Sequence, residues 1–149
     1  MNLSELCNKS VVTISNEDTV NYACKLLRDE HVGCLIVTDL YEGNCKPLGI
    51  ITDRDIIVKV IAAGIKIEDV LVKDIMGEKF ITADINKNLY DGLELMLKHG
   101  VRRMPLVNGS GHLEGIITLD DVLSHLSSEL YKVTRTINME QNREIFTQL

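Results

Sequence analysis

Proline is scarce in this chain, with two in 149 residues, and no C-x-x-C, H-E-x-x-H, Gly-x-Ser-x-Gly or P-loop sequence occurs. Apolar residues make 45% and charged residues 26%, an ordinary globular composition able to bury a sizeable core. Cys7, Cys24, Cys34 and Cys45 are spaced 17, 10 and 11 residues apart, which signals neither a zinc cluster nor a thioredoxin-like motif. Cys24 and Cys34 sit among apolar residues and read as buried free thiols, with a redox switch as the subsidiary reading. His31, His99, His112 and His125 show no metal spacing, so no catalytic or metal residue is assigned. Met1–Ser10 lacks a signal-peptide core and no run approaches a membrane span, so a cytoplasmic location without a membrane partner is expected. Net charge is −6 and the Lys and Arg residues are scattered. That argues against nucleic acid, which needs a basic patch, but not against a small phosphorylated ligand.

What is present is a repeat. Gly49-Ile50-Ile51-Thr52-Asp53-Arg54-Asp55-Ile56 returns as Gly115-Ile116-Ile117-Thr118-Leu119-Asp120-Asp121-Val122. A shift of 69 aligns Leu3–Asp39 with Val72–Asn108 without a gap; it then becomes 66, because the loop Asp39–Pro47 is three residues longer than its counterpart. Each unit reads as a strand (Val11–Ile14; Phe80–Ala83) followed by an amphipathic helix. The buried face of that helix is expected to carry Val20, Ala23, Cys24 and Leu27, or Leu89, Leu93, Met96 and Leu97. A hairpin follows, Cys34–Thr38 with Leu48–Thr52 or Met104–Val107 with Leu113–Thr118, the second turning at Asn108–Gly111. A second helix closes each unit, Asp53–Ala63 capped by Gly64, or Leu119–Ser128. The expected fold is α/β (α+β), β-α-β-β-α twice, packed as a pseudo-symmetric pair. The units span 1–66 and 67–129, with a helical tail over 130–149 that either frays on the surface or faces a partner.

Thr-x-x-Asp at a strand-to-helix junction has two readings. One is a capping box, imperfect because Asp is shorter than the usual Glu. The other is a nucleotide half-site. The helix N-terminus and the Thr hydroxyl suit phosphate, and the carboxylate suits a ribose diol. Cations lie near: Arg54 inside the first motif, and Arg102-Arg103 on the second unit's middle strand where the first has Gly33-Cys34. The half-sites are therefore unlike.

The β-α-β-β-α repeat, Val-x-Asp-Ile-Met at Val72–Met76, Arg-Arg-Met-Pro-Leu-Val at Arg102–Val107 and the two Gly-Ile-Ile-Thr-x-x-Asp phrases together resemble the CBS-domain family, over about residues 3–128. The resemblance implies a tandem pair (a Bateman module) that binds an adenosine-containing ligand between its sheets and dimerises. It places phosphate at Thr52 and Thr118, and ribose at Asp55 and Asp121. It places the base at Thr13-Ile14 and Thr82-Ala83, partly through backbone, with Val32 and Val101 flanking it. Arg102-Arg103 matches a position that reaches phosphate, with Arg54 as a further cation. The expected function is a stand-alone, non-enzymatic sensor of AMP, ADP or ATP, signalling to a protein target through shape or assembly. The tail is too short to hold an attached enzyme. The alternatives are a ligand-free scaffold and a sensor of S-adenosylmethionine or NAD.

Overall fold

Each copy of the repeated phrase ends a β-hairpin and begins a helix, and the architecture is built around those two junctions. The computed structural model describes residues 1–39, 45–77 and 80–148. The first half contains β1 (Thr13–Ser15), α1 (Val20–Asp29), β2 (Cys34–Thr38), β3 (Pro47–Thr52) and α2 (Asp53–Ile56), which widens into a π-helical turn over Ile57–Ile61. A short helix α3 (Val72–Ile75) leads to β4 (Ala83–Asp84), α4 (Leu89–His99), β5 (Arg103–Val107), β6 (Leu113–Thr118) and α5 (Leu119–Thr147). Each half forms a three-stranded sheet in sequence order, parallel in its first pair and antiparallel in its hairpin. Both hairpins carry a register irregularity at the same place, Val37/Thr38 and Leu106/Val107, so the repeat extends to backbone detail. No described helix is long and apolar enough to cross a membrane.

The halves are tied by exchanged segments. The N-terminal turn Leu3–Glu5 lies on the second half, with Leu3 N donating to Lys87 O (2.9 Å) and Ser4 N to Ile85 O (3.0 Å). The connection does the same to the first half: Val72 N donates to Asp18 O (2.8 Å) and Lys73 N to Asn16 O (3.1 Å). These are equivalent bonds at the 69-residue shift. The cores follow suit. Val70, Val72 and Ile75 join Ile14, Val20, Leu35, Val37 and Ile51, whereas Leu3 joins Ala83, Met104, Leu106 and Ile117. The approach is close: a Cβ on Gly92 of α4 would come within 2.7 Å of Leu3 Cδ2, and one on Gly115 of β6 within 2.9 Å of Cys7 Sγ.

Several sequence expectations need correction. The first strand of each unit starts later than Val11 or Phe80, because Val11-Val12 and Phe80–Thr82 only lead into the ladder; Val12 O still accepts from Ile36 N (3.1 Å). The paired strands begin one residue earlier, at Pro47 and Arg103. Leu97 is 76% exposed, since α4 packs through Gly92, Leu93 and Met96 and Leu97 lies beyond that face. Cys24 and Cys34 are half-buried rather than enclosed. The stretch Asp53–Ala63 is not one α-helix, given its π turn. Leu119–Ser128 and the tail are instead one continuous α5, with Leu149 outside the described residues. Gly64, at φ +71°, ends the first unit's helix, whereas its counterpart in the repeat is Leu130, which lets the helix run on. The second hairpin turns as expected, with Gly111 at φ +80° and Gly111 N donating to Asn108 O (2.8 Å); most of the longer loop Asp39–Pro47 lies outside the described residues.

Candidate nucleotide cleft

Both Thr-x-x-Asp motifs form complete capping boxes. Asp55 N donates to Thr52 Oγ1 (3.1 Å), and Asp55 Oδ2 accepts from Thr52 N (3.0 Å) and Thr52 Oγ1 (2.9 Å). The second box repeats this: Asp121 N to Thr118 Oγ1 (3.1 Å), then Thr118 N and Oγ1 to Asp121 Oδ2 (2.9 and 2.7 Å). The Asp side chain therefore reaches the cap fully, contrary to the expectation from its length. A cap of this kind stabilises by about 1 kcal/mol. It uses one carboxylate oxygen and leaves the other.

The remaining oxygen is where the copies differ. Asp55 Oδ1 is held by Lys59 Nζ at 3.2 Å, and the same ammonium donates to Ile75 O (2.7 Å). The position equivalent to Lys59 is His125. Asp121 Oδ1 has no hydrogen-bond or ion-pair partner among the described residues. The first carboxylate is thus latched to the connection, while the second is open.

The open one faces a cleft of about 220 Å³ between the halves. Val11, Val12, Val32 and Ile36 of the first half and Ile116 of the second form its apolar wall. Thr118, Asp120, Asp121 and Arg103 supply hydroxyl, carboxylates and guanidinium, and Asn8, Ser10, Gly33 and Cys34 complete it. Gly33 borders both the arginine and Asp53, since a Cβ there would meet Arg103 Nη2 and Asp53 Oδ2 at 3.7 Å, ordinary van der Waals contact. The cleft also lies at the N-terminus of the 29-residue α5, whose dipole favours an anion; Thr118 N and Asp121 N are used in the cap and Leu119 N donates to Arg102 O (3.0 Å), which leaves the Asp120 N–H of the first turn. Burial pushes the Cys34 thiol above its ordinary range, although Arg103 pulls the other way and Asp53 reinforces the rise. Burial likewise raises Cys7 and Cys24.

Of the residues singled out in the sequence, this cleft gathers Val32, Arg103, Thr118 and Asp121. Thr13 lines a separate depression with Lys9, Val11, Cys45, Leu113 and Glu114. Val101 and Arg102 line an apolar groove with Leu93, Leu97 and Leu119, and Arg102 pairs with Asp120 at 3.8 Å on the surface. Ile14 and Ala83 belong to the cores and pair with Val37 and Leu106 in the sheets, away from this cleft's lining. Thr82 is half-buried ahead of β4, and Thr52, Asp55 and the exposed Arg54 sit at the latched junction. Sequence reasoning missed Asn8, Ser10, Val11, Val12, Gly33, Cys34, Ile36, Ile116 and Asp120 as site residues. Cys34 and Ile36 had a signal, being on the strand equivalent to the arginine-bearing one; Asn8 and Ser10 arrive only through the segment exchange.

The CBS domain family matches residues 3–62 and 72–128, the two halves just described. The chain belongs to the CBS-domain family. This CBS pair is 32% identical over 120 residues to the CBS domain-containing protein YhcV of Bacillus subtilis, covering 80% of this chain and 81% of that protein. It is 30% identical over 123 residues to protein MK0525 of Methanopyrus kandleri, covering 83% of this chain and spanning 61% of that relative's length. Among solved structures, the CBS domain pair of protein MJ0100, in complex with 5′-methylthioadenosine and S-adenosyl-L-methionine, superposes with a TM-score of 0.74 over 87% of this chain and 98% of that one. At 23% identity that likeness is one of fold.

Proposed function

We propose that this CBS pair is a non-catalytic regulatory sensor that binds one adenine nucleotide, AMP, ADP or ATP, in the cleft between its halves. The observation that carries the reading is the open Asp121 carboxylate beside Arg103 and the α5 N-terminus, opposite an apolar wall from the other half. The base lies against Val32, Ile36 and Ile116, the ribose diol donates to Asp121 Oδ1, and phosphate meets Arg103 and the helix N-terminus, while the Thr118 hydroxyl holds Asp121 in place. Because the two walls come from different halves, an occupant links them, and the signal is a change of shape or of assembly with a second copy. The target is a protein that reads that change.

S-adenosylmethionine is the second reading, prompted by the ligands of the MJ0100 pair. Its sulfonium offers Arg103 no anionic partner comparable to a phosphate, which favours the nucleotide. Thermal melting with AMP, ADP, ATP, NAD and S-adenosylmethionine tests the proposal. A ligand at 100 times its dissociation constant adds about 2.7 kcal/mol, an upward shift of about 5–11 °C for a chain of this size. A shift with the adenine nucleotides is expected. No shift with any ligand would leave a scaffold as the function.

A further inference from the structure

Asn8 and Ser10 line the cleft although they belong to the segment that crosses to the second half. Asn8 is bridged to Ile116 by two backbone bonds, Asn8 N to Ile116 O and Ile116 N to Asn8 O, each 2.9 Å. It is therefore fixed to a residue of the wall against which the base is placed. Ile116 stands two positions before Thr118 on β6, about 7 Å along the strand. Arg103 pairs with Thr118 across the sheet, so Asn8 stands at the base end of the cleft and the guanidinium at the phosphate end. The side chain is held as well. Asn8 Oδ1 accepts from Ser10 N at 2.9 Å, and the Asn8 NH2 has no partner among the described residues. The Ser10 N–H needs an acceptor, so this bond fixes which end of the amide is oxygen. In the other half the equivalent residue is Gly77, which has no amide to offer.

We infer that Asn8 reads the base of the bound nucleotide, selecting a 6-aminopurine over a 6-oxopurine. This role rests on the nucleotide reading of the cleft and adds the residue that tells adenine from hypoxanthine or guanine. Adenine presents an acceptor beside its amino donor on either edge, N1 or N7 next to N6–H. The Asn8 NH2 donates to that ring nitrogen, and the second lone pair of Oδ1 accepts from N6–H. A 6-oxopurine breaks the match on both edges. On one edge N7 and O6 are both acceptors, and Oδ1 meets O6 without a proton between them. On the other, N1–H and O6 reverse the order of donor and acceptor, and the amide pairs with them only by turning over. Turning over would set the NH2 against the Ser10 N–H, so the pinned orientation excludes it. Asn8 is exposed, so the contact competes with water and the discrimination is on the order of tenfold.

Calorimetric titration of AMP and of IMP into the full chain tests it, since the two differ only at position 6 and in the proton on N1. The wild type is expected to bind AMP about tenfold more tightly than IMP. Asn8→Ala should weaken AMP by about that factor and leave IMP nearly unchanged, which brings the ratio close to one. Asn8→Asp keeps an oxygen for Ser10 N and loses only the NH2, so it preserves the turn should Asn8→Ala fail to fold. Its added charge weakens both ligands, and the readout is again the AMP-to-IMP ratio, expected at one or below because the carboxylate accepts from N1–H. A wild type that binds IMP as tightly as AMP would overturn the inference and leave the nucleotide cleft standing. A ratio that stays near tenfold in both variants would do the same and move base recognition to another residue. A wild type that binds neither ligand would overturn the nucleotide reading and the role of Asn8 with it.

Discussion

The two carboxylate oxygens of Asp121 have separate uses. Oδ2 closes the cap with Thr118, and Oδ1 has no partner among the described residues in a side chain that lines the cleft. Asp121→Ala is therefore expected to lower the melting temperature by about 2–4 °C, for the roughly 1 kcal/mol of a lost cap, and to abolish the nucleotide-induced shift. Asp55→Ala should lose similar stability and keep that shift, because Lys59 already holds Asp55 Oδ1. The hydroxyl-carboxylate pairing was legible as a motif, yet the difference between its copies was not. It depends on Lys59 reaching Ile75 O, a contact across 16 positions that no local spacing encodes. Cys34 supplies a second probe. Burial raises its thiol pKa, so the neutral form is favoured in the folded protein. Its contribution to stability holds below the ordinary thiol value and is lost as pH rises above it. Iodoacetamide should modify Cys34 slowly at neutral pH and faster in alkali, with bound AMP protecting it. Equal rates with and without AMP, followed by mass spectrometry of the Cys34 peptide, would move the ligand out of this cleft.

At the scale of elements, period and turn chemistry carried most of the pattern: four helical or hairpin segments per repeat were legible from apolar spacing and glycine. What failed depended on a single residue or on pairing. Gly64 stops one helix and Leu130 fails to stop the other, so α5 runs through the expected break. The first strands were drawn too early because Val11-Val12 and Phe80–Thr82 have strand composition but too few ladder partners. Leu97 followed the helical period and still missed the core, as α4 buries Gly92 instead. That glycine makes a firm prediction. Gly92→Ala would gain about 1 kcal/mol of helix propensity on an open surface, but its Cβ collides with Leu3 Cδ2. Overpacking of this kind costs about 1–3 kcal/mol, so a net loss is expected in urea unfolding, partly relieved by Leu3→Val in the same chain. A stabilised Gly92→Ala would contradict the packing of Leu3 on α4.

The whole molecule is an interlock of two equivalent halves. Leu3 crosses to the second core and Val72 to the first, with matching backbone bonds, so neither half is complete without the segment that precedes the other. The sequence alignment revealed that Leu3 and Val72 are equivalent, but not that each packs across the boundary, because a repeat specifies likeness and not which copy a segment joins. Leu3→Ala, expected to cost about 2–5 kcal/mol, should raise amide hydrogen exchange in β5 and β6 before β2 and β3. The same interlock makes the cleft a joint product of both halves, with the apolar wall largely from one and the charged groups from the other. The central claim is that one adenine nucleotide binds at that joint. Calorimetric titration of AMP into the wild type, Asp121→Ala and Asp55→Ala tests it most directly. One site per chain, lost in Asp121→Ala and kept in Asp55→Ala, is the predicted result; binding that survives Asp121→Ala, or is lost only with Asp55→Ala, would contradict it.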